Sequence, residues 1–102
     1  KFVFDQCNNL KLLDLSYNRI QFLTDMFNEP SKIIILNLDN NFIEKISEDD
    51  LKYLNELTEL SLAKNQINYI HPKAFENLKK LIKLNLNKNF IYSLPSSSLI
   101  YM

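Results

Sequence analysis

The fold class predicted for this 102-residue chain is an α/β solenoid: an arc with a parallel sheet on its concave face and short helical or irregular segments on its convex face. Three observations predict it. The pattern LxxLxLxxNxIxxI occurs four times, through Leu10, Leu13, Leu15, Asn18, Ile20 and Leu23, then Ile33, Leu36, Leu38, Asn41, Ile43 and Ile46. It continues through Leu57, Leu60, Leu62, Asn65, Ile67 and Ile70, and through Leu81, Leu84, Leu86, Asn89, Ile91 and Leu94. Equivalent leucines, Leu13, Leu36, Leu60 and Leu84, stand 23, 24 and 24 residues apart, and self-similarity at such a period marks stacked repeats. Each copy opens with the alternation of a strand and closes with apolar residues at wider spacing, so each copy is one turn of the arc.

In chain order, residues 1–9 read as the end of a preceding repeat, with Phe4 and Cys7 directed into the core. Residues 10–32, 33–56 and 57–80 are complete repeats, and 81–102 reads as a repeat cut short, so the register sets both ends of the chain inside repeats. In the strand of the first repeat Leu13 and Leu15 point inward, while Leu12, Asp14 and Ser16 point out. The asparagine that follows turns the chain away from the strand. Its amide both donates and accepts, so it can satisfy backbone groups left open by the turn. Asn18, Asn41, Asn65 and Asn89 are therefore expected to form a buried ladder.

The return segments differ. In the second repeat, Ser47 followed by acids predicts a short helix carrying Leu51 and Leu54. In the first, Pro30 lacks an amide proton and predicts an irregular path. The third, His71 to Leu78, reads as short helical turns or extended pieces. Phe4, Phe27, Leu51, Phe75 and Leu99 form a column of bulky core side chains, each contributing roughly 1.5–3 kcal/mol on burial.

This pattern resembles the leucine-rich repeat family, in its 24-residue "typical" subclass, over nearly the whole chain. The resemblance implies a recognition module of the kind found in extracellular repeat receptors, Toll-like receptor ectodomains among them, and in secreted immune or matrix proteins. The chain lacks the cysteine-rich caps common in those relatives, which fits a piece of a longer array. The implied location is extracellular or at the cell surface, with a cytoplasmic regulatory scaffold as the alternative. A structural spacer or dimerisation element is the alternative function.

The concave face of such an arc is the expected binding surface. Its outward positions form columns: Leu12, Ile35, Glu59, Lys83; then Asp14, Asn37, Ser61, Asn85; then Ser16, Asp39, Ala63, Asn87. Flanking them are Lys11, Ile34, Thr58, Ile82 on one side and Tyr17, Asn40, Lys64, Lys88 on the other. The partner-binding candidates are Leu12, Asp14, Tyr17, Ile34, Ile35, Asn37, Asp39, Glu59, Lys83 and Asn85. Leu12, Ile34 and Ile35 form an apolar group beside Tyr17, although single exposed apolar residues are ordinary. Acids lie toward the start and lysines toward the end, a polarity that can orient a partner. Phe42 and Phe90 follow ladder asparagines and either extend this surface or lie flat over neighbouring loops.

Composition narrows the function classes. Twelve basic and 12 acidic residues give zero formal net charge, against a nucleic-acid partner. The sequence holds no 18-residue apolar run, so no membrane contact is expected within these residues. The absence of glycine removes glycine-rich phosphate loops, and one cysteine cannot build a disulfide or a four-ligand zinc site. The single histidine, His71, precedes Pro72 in a return segment and makes no catalytic set with a serine and an acid. The expectation is a non-enzymatic chain without cofactor or metal, binding a protein ligand. Ends without caps expose core, so self-association end to end is also expected.

Overall fold

The computed structural model describes residues 10–91. Expectations for Phe4, Cys7, Leu94, Leu99 and the two end segments lie outside these residues. Six short strands appear: β1 (Leu12–Asp14), β2 (Ile35–Asn37), β3 (Lys45–Ile46), β4 (Glu59–Ser61), β5 (Tyr69–Ile70) and β6 (Lys83–Asn85). Strands β1, β2, β4 and β6 make one parallel sheet in that order. Their register aligns Leu12, Ile35, Glu59 and Lys83 in one column and Asp14, Asn37, Ser61 and Asn85 in another, while the leucine between them points inward. Strands β3 and β5 pair separately, in parallel, just after the asparagine turns. A second sheet was no part of the sequence expectation, since two-residue strands leave no alternation to read.

The core follows the repeat. Leu36, Leu38, Ile43, Ile46, Leu51, Leu54, Leu57, Leu60, Leu62 and Ile67 are fully buried, and the bulky column contributes Phe27, Leu51 and Phe75. Leu13 and Leu15 at one end, and Leu84, Leu86 and Ile91 at the other, are partly buried against this cluster. Inner repeats thus hold the dry centre and outer repeats cover it, as nearest-neighbour stacking requires.

The short helix expected after Ser47 is not formed, and the described residues contain no helix. The segment instead closes successive three-residue turns, with Asp50 N–H donating to Ser47 O, Leu54 to Leu51 O and Leu57 to Leu54 O. Leu51, Leu54 and Leu57 recur every third residue. A chain closed by turns of that span buries all three on one side, whereas the 3.6-residue period of an α-helix would rotate them apart. Ser47 does not cap by accepting. Its own N–H donates to the Asp50 carboxylate at 2.8 Å, the returning half of a capping box. The third repeat makes similar turns, from Ala74 N–H to His71 O and from Leu78 N–H to Phe75 O.

One backbone feature recurs in every repeat. Tyr17, Asn40, Lys64 and Lys88, each preceding a ladder asparagine, have φ of 59°, 59°, 57° and 60°. This left-handed conformation swings the following asparagine under the turn. It also sends the N–H groups of Tyr17, Asn40 and Lys64 to Asp39 O, Ala63 O and Asn87 O of the next repeat. Glycine would adopt it without strain, but the chain has none. Asparagine tolerates it, while other side chains pay about 1–2 kcal/mol. Lys64→Asn should therefore stabilise the chain by roughly 0.5 kcal/mol and Lys64→Val destabilise it by about 1–2 kcal/mol in urea unfolding. Equal stability of the two variants would refute this account.

Candidate functional site: the concave sheet

The asparagine turns fix the rim of the sheet. Asn65 is 5% exposed; its Nδ2 donates to Leu38 O, Leu62 O and Ala63 O, and its Oδ1 accepts from Ile43 N–H at 3.1 Å. Asn41 does the same with Leu15 O, Leu38 O, Asp39 O and Ile20 N–H. Asn89 reaches Leu62 O, Leu86 O and Ile67 N–H. Each of these three asparagines bonds its own turn and the repeat before it. Asn18 departs from the expected burial: it is exposed and holds its own turn through Leu15 O and Ser16 O. As the first rung among the described residues, it has no earlier described turn to lie under.

A second set of turns orders the polar side chains of the concave face. The Oδ1 atoms of Asp14, Asn37 and Asn85 accept the N–H two residues on, from Ser16, Asp39 and Asn87, each at 2.9 Å. The Ser16 hydroxyl also donates to Asp14 at 2.6 Å. The hydroxyl, with the Ser16 amide second, holds the Asp14 carboxyl below the usual carboxylate range. The third repeat has Ser61 at this register and no side-chain acceptor of that kind. Asp39, one repeat earlier, takes over the role: its Oδ1 accepts the Ser61 hydroxyl and, at 2.8 Å, Ala63 N–H. Ala63 is buried in consequence. The sequence held the signal, since serine interrupts a column that is otherwise Asp or Asn, but its meaning needed the neighbouring repeat.

These bonds sort the candidates. Ile35, Asn37, Asp39, Glu59, Lys83 and Asn85 come together in a shallow groove over β2, β4 and β6, which Ser61 and the shoulder residue Ile82 also line. Leu12, at 63% exposed, lies in register beside Ile35 at the β1 edge. Ile34 is separate: it lines a different hollow with Lys11, Pro30, Ser31, Lys32, Asn55 and Glu56. Tyr17 stands apart from the apolar residues but shares a groove with the candidates Asn37, Asp39 and Asn85. It is 77% exposed at the far strand ends, in a polar groove with Asn40, Lys64, Asn87 and Lys88. The expected grouping of Leu12, Ile34, Ile35 and Tyr17 thus reduces to the Leu12–Ile35 pair. Ile34 precedes β2 at the flank of the sheet, and four residues of chain lie between Leu12 and Tyr17. Phe42 and Phe90 are exposed, at 42% and 60%.

Lys64 and Lys88, which are not among the partner-binding candidates, line the same groove as Tyr17. Among the described residues, the ion pairs are Lys52–Asp49 and Lys80–Glu56, and His71 Nε2 lies 3.5 Å from Glu48, so Lys64, Lys83 and Lys88 have no acid within ion-pair distance. No group of three or more His, Cys, Asp or Glu among those residues is placed to hold a metal ion.

A family profile described as "Leucine rich repeat" matches residues 8–67 and 55–100. The rat leucine-rich repeat-containing G-protein coupled receptor 5 is 40% identical over 97 residues, which is 95% of this chain and 11% of that receptor. Human Toll-like receptor 8 is 38% identical over 78 residues, 69% of this chain and 8% of the receptor. The MAP kinase phosphatase with leucine-rich repeats protein 3 of Dictyostelium discoideum is 35% identical over 86 residues, 81% of this chain and 10% of its own length. The chain thus spans about a tenth of the length of each of these relatives. Similarity to repeat-bearing receptors supports a protein-interaction module. With the repeat profile covering most of its length and parallel strands stacked one per repeat, the chain belongs to the leucine-rich repeat family.

Proposed function

We propose that this chain is a non-catalytic protein-recognition module that binds a protein partner through its concave sheet, at the cell surface or outside the cell. The observation that carries the reading is the groove over β2, β4 and β6. It is open, bordered by the exposed Leu12 and the half-buried Ile35, and lined by polar side chains whose orientation is set by turns. Exposed apolar side chains beside polar groups of fixed orientation are what a protein contact uses. Two of the relatives carry "receptor" in their names, which favours the surface location.

The test is a pair of substitutions, Leu12→Asp with Ile35→Asp, set against Lys73→Asp on the exposed convex return. The concave pair should weaken partner capture by about tenfold or more without loss of folding, and the convex change should have little effect. Undiminished capture by a folded concave variant would favour the spacer role instead.

A further inference from the structure

The donors left free on the concave face gather toward the far strand ends, where Asn37, Asn85, Lys64 and Lys88 line one groove with the carboxylate of Asp39. Asn37 and Asn85 spend their Oδ1 atoms on the N–H groups of Asp39 and Asn87, which leaves each Nδ2 without a partner among the described residues and able to donate outward. Asp14, Asp39 and Glu59 are the acids behind the polarity read from the sequence, and the first two are engaged in turns. Each of those two already accepts two hydrogen bonds at a single carboxylate oxygen, from Ser16 and from Ser61 with Ala63. Lys64 and Lys88 are exposed, stand on adjacent repeats at one register and have no acid within ion-pair distance among the described residues. Their left-handed backbone is pinned by the turn, so the two ammonium groups spring from fixed points. Glu59 stands in register beside Lys83, one acid to one lysine, whereas Lys64 and Lys88 share their groove with the single acid Asp39.

We propose, resting on the recognition role above, that the partner is a polypeptide presenting clustered Asp or Glu side chains. The carboxylates would lie across Asn37, Lys64, Asn85 and Lys88, with an apolar side chain beside them over Leu12 and Ile35. Carboxylates match the far strand ends because two ammonium groups and two amide donors stand there against one acid, Asp39. The apolar pair favours a polypeptide over a sulfated polysaccharide, which has no side chain to bury there.

The test is peptide-display selection on the immobilised intact chain, followed by affinity measurement of the recovered peptides. The chain, a Lys64→Glu/Lys88→Glu variant and a Leu12→Asp variant are compared, with heparin as the competing polyanion. Both lysines are exposed, so urea unfolding should show the double variant still folded. The expected result is recovery of peptides with clustered acids next to an apolar residue. Their affinity should fall about tenfold or more in the lysine variant and weaken with added salt, and Leu12→Asp should also reduce it. Neutral or basic peptides that bind the lysine variant equally well would overturn this inference and leave concave recognition standing. Tight heparin binding without acidic peptides would overturn it in favour of a polysaccharide. Recovery of no peptide would count against both readings.

Discussion

Asn65→Ala should destabilise the chain by about 3–5 kcal/mol, the largest loss expected from any single polar substitution. The amide meets four backbone groups: the carbonyls of Leu38, Leu62 and Ala63, and the N–H of Ile43. Ile43 is fully buried, so its N–H would have no water to replace the lost acceptor. One stranded buried group costs about 1–3 kcal/mol, and here several are stranded together. Asn65→Asp should be at least as harmful, since a carboxylate cannot donate to three carbonyl oxygens and its charge would be buried. Asn18→Ala, by contrast, removes an exposed amide and should cost less than about 1 kcal/mol. Urea unfolding of the three variants checks the series. Equal losses at positions 18 and 65 would mean that the cross-repeat bonds add nothing.

Phe75→Ala should cost about 3–5 kcal/mol, through lost transfer free energy and the cavity left behind. Phe75 is 1% exposed and sits within the same buried cluster as Leu51 of the neighbouring repeat. The cavity would open between two repeats, so the loss should spread beyond its own turn. Native-state hydrogen exchange would show this as faster exchange at both Leu54 and Leu78 amides. Faster exchange confined to the third repeat would show that the repeats are coupled less tightly than the shared core implies.

Residues whose role depends on their own repeat were legible in the sequence. Leu36, Leu38 and Ile43 announce burial by period, and Asn41 and Asn65 announce a turn by recurring at one register. What escaped depends on neighbours across the stack or on backbone angles. The three-residue spacing of Leu51, Leu54 and Leu57 suited turns better than a helix, but Ser47 with its acids resembled a helix start. The left-handed angles at Lys64 and Lys88 were hidden because the residue that usually signals them, glycine, is absent. The site was legible in outline only. The columns follow from the strand period, whereas the bonding of Asp39 to Ser61 and Ala63 needed coordinates.

The most direct measurement of concave recognition is site-specific photo-crosslinking with the probe placed, in separate chains, at Ser61, Asn85, Lys73 and Asn77. Ser61 and Asn85 line the groove; Lys73 and Asn77 are exposed on the convex return. Incubated with proteins of the cell surface and medium, the groove positions should yield one shared crosslinked species, suppressed by Leu12→Asp, and the convex positions should not. A species formed at Lys73 and Asn77 but absent at Ser61 and Asn85 would contradict the account and move the binding surface to the convex side.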